Sequence, residues 1–233
     1  MKKLLFGALF FVAMTSVAQD IFDRQDVFLK EYVREGKVDY KRLKSDSQQL
    51  NELVEEIASF DLSNKRVTGD FIKAFYINAY NILVIKQVID LYPIEGPLAV
   101  DGFFDKRSNT VMGEQMTLNE LEKGRLYKQF PDPRLHFVLV CAADGCPPIA
   151  DNAYMPDKIE AQLSERTTYV VDLDWFIKVN KKAELSQIFE WYMADFTKDG
   201  SLVDFINKYR TEKINPKIKT TFYPYMWSLN SID

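Results

Sequence analysis

TGDFIKAFYINAYNILVIKQVIDLY, residues Thr68 to Tyr92, is apolar on nearly every side and stops at Pro93. A helix at a protein surface shows an apolar stripe, whereas one that is apolar all round belongs in the interior, and proline cannot continue it. The stretch predicts a long buried central helix, and the rest of the chain reads as its covering. Asn78 and Asn81 break the pattern: they lie three residues apart, about 60° around the helix, on a face shared with Ala74 and Ile85. Buried amides are costly unless hydrogen-bonded. These two either bond the backbone of a neighbouring strand, or point into a pocket and hold a substrate amide or oxyanion.

Before this helix, Ile21, Phe22, Phe28, Leu29, Tyr32 and Val33 recur at helical spacing and stop at Gly36. Leu50, Leu53, Val54 and Ile57 predict a second amphipathic helix, with Glu52, Glu55 and Glu56 turned mostly to solvent. At the start, MKKLLFGALFFVAMTSVA pairs two lysines with an apolar run and ends in small residues, the pattern of a secretory signal peptide cut near Ala18. The run is shorter than the roughly 20 residues that span a bilayer. The expected organisation is a leader over residues 1–18 and a single globular domain over 19–233, exported to a periplasmic or secreted location.

After the helix, Phe103-Phe104 and Val111-Met112 flank a polar turn and suggest a hairpin, and Thr117-Leu118-Asn119-Glu120 is a capping box opening a helix to about Phe130. Leu135–Cys141, Thr167–Leu173, Phe176–Val179 and Thr220–Trp227 read as strands. Leu185, Ile188, Phe189, Tyr192 and Phe196 form one more helix, and Leu202–Tyr209 another. Helices first and strands later, with little βαβ alternation, predict an α+β domain with N-terminal helices, the central helix and a mainly antiparallel sheet. The 233 residues are 47% hydrophobic and 14% aromatic, with a formal charge of −4 and both signs interspersed. That leaves no basic stripe for nucleic acid, and no later run is long enough to span a membrane.

The only histidine and both cysteines fall in HFVLVCAADGCPP, His136 to Pro148. In a strand His136 and Cys141 point to opposite faces. Asp144-Gly145 turns the chain so that Cys146 can fold back. A nucleophilic thiol needs a base within reach and a group that orients the base. Cys146 as nucleophile, His136 as base and Glu122 as orienter compose one candidate set, with Asn78, Asn81 and Arg134 as substrate ligands. The rival is a Cys141–Cys146 disulfide, natural in an oxidising compartment, with His136 a hydrogen-bonded core residue and Arg134 a structural partner for Glu122. Zinc fits poorly, because H-x₄-C-x₄-C supplies three ligands and no second cluster. No cofactor is expected.

KAFYINAYNILVI (Lys73–Ile85), TLNELE (Thr117–Glu122), DPRLHFVLVCAADGCPPI (Asp132–Ile149), Ala153-Tyr154, LSQIFEWYMADF (Leu185–Phe196) and YMWSLN (Tyr225–Asn230) resemble, in that order, the signatures of the domain of unknown function 547 family. The resemblance spans roughly Asp39 to Asn230 and points to Asn78, Asn81, Glu122, Arg134, His136, Cys141 and Cys146. An Asp usual in the family's closing motif is replaced here by Met226. In outline the chain is also similar to papain-like and transglutaminase-like folds, whose nucleophilic cysteine starts the central helix; this helix has no cysteine. The expected function is a thiol-dependent hydrolase or acyltransferase acting on amide or ester bonds. The alternative is a non-catalytic binding or scaffold domain for a small-molecule or peptide ligand.

Overall fold

The computed structural model describes residues 13–63 and 67–232, with side chains from Ile21 onward. The leader expected over residues 1–18 lies outside them as far as residue 12. Helix α1 (Ala13–Tyr32) runs into a two-residue ribbon, β1 (Val33–Arg34) and β2 (Lys37–Val38), then α2 (Tyr40–Ser45) and α3 (Gln48–Ser59). The central helix α4 (Gly69–Leu91) starts where the Thr68 side chain accepts a hydrogen bond from Phe71 N, and every residue from Ala74 to Ile85 is buried. It packs against α1, α2, α3, the helix at Glu120–Tyr127 and α5 (Ile159–Asp172).

The hairpin is β3 (Ser108–Val111) with β4 (Glu114–Thr117), later than expected. Its turn residues Met112 and Gly113 have φ of 53° and 79°, the left-handed pair that a two-residue hairpin turn demands. The capping box forms: Glu120 N donates to Thr117 Oγ1, and Thr117 N donates to the Glu120 carboxylate. It opens a wide, π-type helix over Glu120–Tyr127.

Two expected strands are absent. Thr167–Leu173 lies within and just past α5, where Ile159, Leu163, Thr167 and Val170 form its buried stripe. The β-branched composition of this stretch concealed a helical spacing. Leu135–Cys141 begins inside a short 3₁₀ helix at Pro133–Phe137 and is irregular beyond it, because Asp132 accepts from Arg134 N and Pro133 occupies the first helical turn. The expected helix from Leu185 is split. Leu185 belongs to strand β6 (Ala183–Ser186), followed by the short α6 (Ile188–Trp191) and α7 (Met193–Phe196). Helix α8 (Leu202–Tyr209) is closed at its start by a Ser201–Asp204 capping box.

Strand β5 (Ile177–Val179) pairs antiparallel with β6, which pairs parallel with β7 (Thr220–Tyr223), so this sheet is mixed where an antiparallel one was expected. Strand β7 ends before Pro224, which has no N–H to continue a ladder. The α+β class holds. No helix among the described residues is long and apolar enough to cross a membrane.

Candidate functional site

The amides of α4 position the site without entering it. Asn81 Nδ2 donates to Val138 O at 2.9 Å and its Oδ1 accepts from Val140 N at 2.9 Å. Asn78 does the same for Tyr154, donating to its O at 2.8 Å and accepting from its N at 2.9 Å. Each amide makes the two bonds that a neighbouring strand would make, which explains how Val138–Val140 is buried with no strand beside it. Asn78 and Asn81 thus take the first of the two roles expected of them, bonding neighbouring backbone, and neither lines the cleft described below.

Beyond Val140 the chain turns at Ala142, whose φ is 61°. The C-terminal tail runs antiparallel along this turn: Asn230 N donates to Ala142 O, Asp144 N to Ser228 O and Gly145 N to Met226 O, at 2.8–3.1 Å. A Cβ at Gly145 would stand 2.8 Å from Met226 N, so the tail can seat this closely only against glycine. Cys146 thereby reaches Cys141, and the two form a disulfide with Cα atoms 6.3 Å apart. Tyr225 comes from the tail, its hydroxyl donating to Cys146 Sγ at 2.9 Å and lying 3.0 Å from Cys141 Sγ. Met226 turns outward and is half exposed.

The disulfide forms one wall of a cleft of about 320 Å³ that also includes Glu122 and His136. Four residues singled out in the sequence, Glu122, His136, Cys141 and Cys146, thus share one cleft. Their pairing differs from expectation: His136 Nε2 meets Asp195 Oδ2 at 2.8 Å, while Glu122 is hydrogen-bonded to Tyr80 of α4. Asp195, not Glu122, orients the imidazole. His136 is stacked on Tyr192, ring centroids 3.8 Å apart, and flanked on another side by Tyr127 at 5.0 Å. This burial pulls its pKa down to about 4, while the Asp195 carboxylate, half exposed and screened, only partly opposes the shift. The imidazole is neutral at pH 7. With Nε2–H donated to Asp195, Nδ1 is left as a hydrogen-bond acceptor. Burial also raises the Glu122 carboxyl above its ordinary range, against a smaller opposing effect of Lys123 and the Tyr80 bond.

Arg134 stands apart from Glu122. Its Nε and Nη2 grip the Asp132 carboxylate at 2.6–3.0 Å, Nη2 also meets Glu160 at 2.5 Å, and Nη1 donates to Ser164 at 2.9 Å. Lys73 of α4 joins Glu160 at 2.6 Å. Arg134 is thus a clamp between α5 and the 3₁₀ turn, paired with Asp132 and Glu160 where Glu122 was the expected structural partner. Among the described residues no group of three or more histidine, cysteine or acidic side chains is placed to hold a metal ion.

Several of the cleft residues the sequence reading missed are aromatic. Tyr192 and Trp191 come from the α6–α7 break, and Tyr225 and Trp227 from the tail. Trp191 and Trp227 stack with centroids 5.8 Å apart, and Trp191 is 45% exposed. Alternation along Tyr225-Met226-Trp227 was the available signal for the tail residues. Asp195 had none, being 59 residues from His136.

Fold and site together define an α+β domain in which one buried helix, through two side-chain amides, shapes an aromatic cleft with a disulfide in its wall. Residues 65–170 match the family described as "Protein of unknown function, DUF547", consistent with the resemblance carried by the motifs. The matched segment holds Asn78, Asn81, Glu122, Arg134, His136, Cys141 and Cys146, while Asp195, Tyr225 and Trp227 lie after it. No curated protein and no solved structure matches the chain.

Proposed function

We propose that this protein is an exported ligand-binding domain whose aromatic cleft takes a small molecule or peptide side chain with a flat, apolar face. The observation that carries this reading is the joining of the two sulfurs. Cys146 Sγ is bonded to Cys141 and His136 Nε2 is engaged by Asp195, so no thiol–imidazole pair stands ready for nucleophilic attack. What the cleft offers instead is Trp191, Trp227, Tyr192 and Tyr225 around three polar residues, Asn119, Glu122 and His136. Large aromatic surfaces with a few convergent polar groups are the usual composition of a small-ligand site. Export is supported by the lysine-plus-apolar start of the chain and by a disulfide suited to an oxidising compartment.

The single histidine gives a direct test. A panel of small aromatic and saccharide fragments is titrated into the oxidised protein, with the His136 Hε1 proton and the indole N–H protons followed by NMR. Binding in the cleft moves His136 and the Trp191 and Trp227 signals together, and Trp227→Ala removes the effect. Fragments that bind while these signals stay fixed overturn the reading.

A second reading is favoured by one observation: both sulfurs, His136 and Glu122 line the same cleft. In a reduced form Cys146 would be the nucleophile of a hydrolase or acyltransferase on amide or ester bonds, with His136 as base. This predicts turnover of activated esters only after reduction, lost in Cys146→Ser. Equal turnover by oxidised and reduced protein refutes it.

A further inference from the structure

We infer that the Cys141–Cys146 disulfide is a site of thiol–disulfide exchange in which an incoming thiol attacks Cys141 Sγ and Cys146 leaves. The two sulfurs are not equivalent. Cys146 is 5% exposed, whereas Cys141 is only partly buried and opens on the cleft. Two donors already converge on Cys146 Sγ, the Tyr225 hydroxyl at 2.9 Å and the Cys141 backbone N–H at 3.0 Å. Among the described residues, Cys141 Sγ has the Tyr225 hydroxyl, at 3.0 Å, as its one such neighbour, and that hydroxyl is shared with Cys146. Exchange proceeds faster when the attacked sulfur is accessible and the departing thiolate is stabilised. Here both conditions select the same direction.

A substrate thiolate forms a bond to Cys141 Sγ, the Cys141–Cys146 bond breaks, and its electron pair goes to Cys146 Sγ, held by Tyr225 O–H and Cys141 N–H. A second substrate thiolate then attacks the mixed disulfide at the substrate's sulfur and releases Cys141. Two thiols leave as a disulfide, and the protein is left as a dithiol. Burial pushes the Tyr225 hydroxyl's pKa up, so it remains protonated and able to donate throughout the neutral range. The substrate class is a small thiol or a cysteine-containing peptide whose flat portion packs on the cleft aromatics. Exchange requires the cleft but not the identity of its resident ligand, so its failure leaves the fragment titration above to stand or fall alone.

The probe is glutathione, added to the oxidised full chain without denaturant. The reaction is quenched in acid at intervals, free thiols are alkylated, and the peptide bearing both cysteines is fragmented in a mass spectrometer. Glutathione is expected on Cys141 and the alkyl group on Cys146. Tyr225→Phe removes a hydrogen bond to a developing charge and slows adduct formation roughly tenfold; Tyr223→Phe, whose hydroxyl donates to Phe176 O, leaves the rate unchanged. An adduct on Cys146, no adduct until the protein is denatured, or an undiminished rate in a folded Tyr225→Phe protein overturns the inference. Adduct placement in the unmutated chain decides the direction even if Tyr225→Phe does not fold.

Discussion

Replacing Asn81 by leucine asks whether the helix amides belong to the fold or to a ligand. Leucine keeps a similar volume but leaves Val138 O and Val140 N, both deep in the core, without their 2.9 Å bonds. An unsatisfied buried backbone group costs about 1–3 kcal/mol, and there are two. Burying the leucine side chain returns about 1.5–3 kcal/mol, which leaves a net loss of about 2 kcal/mol at mid-range. In a domain of this size 1 kcal/mol moves Tm by about 2–4 °C, so a fall of about 4–8 °C is expected. Thermal and urea unfolding followed by circular dichroism measure it, with the disulfide intact in both proteins. The affinity of any cleft fragment for the folded variant changes only as far as the 138–140 segment shifts. A variant with unaltered Tm that no longer binds such fragments would refute the reasoning and return Asn81 to the binding site.

Three further outcomes follow from the same contacts. His136 has a folded pKa of about 4 against an ordinary 6.5, so as pH falls the unfolded chain takes up the proton first. Its contribution to stability is present above pH 6.5 and is lost toward pH 4, by about 3 kcal/mol. His136→Gln flattens the stability slope in that window, and the Hε1 resonance shows no titration between pH 6 and 8; a midpoint near 6.5 contradicts the burial argument. Arg134→Lys keeps the charge but cannot reproduce the two-pronged grip on Asp132, so it loses about 1–2 kcal/mol in urea unfolding with cleft binding unchanged; loss of binding at constant stability restores the ligand role. Changing both Cys141 and Cys146 to serine opens a loop with a sequence separation of 5. The short loop limits the loss to about 2 kcal/mol, and a denaturation midpoint equal to that of the oxidised protein shows that the link does not constrain the chain.

The central helix was legible because fifteen of its residues are buried and its ends carry Thr68 and Pro93. The helices at Gln48–Ser59, which packs on it, and at Leu202–Tyr209, which packs on α5, were equally clear from one-sided periodicity. Misreadings arose where composition and spacing conflicted. Thr167, Val170 and Val171 are β-branched residues on a helix, and Leu135–Cys141 is an apolar run whose hydrogen-bond partner is the side chain of Asn81. No local pattern can announce such a partner, which is supplied from 57 residues away. For the same reason the residue types around Cys146 and His136 marked the cleft correctly, while their pairings, with Cys141 and Tyr225 on one side and Asp195 on the other, depend on tertiary placement. Pro224, which ends β7 early, was visible in the sequence and outweighed by the aromatic run around it.

The joined sulfurs in the cleft wall are the feature from which both the binding reading and the exchange inference proceed. Intact mass after alkylation under denaturing conditions, with and without prior reduction, tests them most directly on protein purified without added reductant. Neither cysteine is expected to take up label until the protein is reduced, after which both do. Two labels without reduction would contradict the account, placing a free Cys146 in the cleft beside His136 and Glu122 and returning the thiol hydrolase to first place.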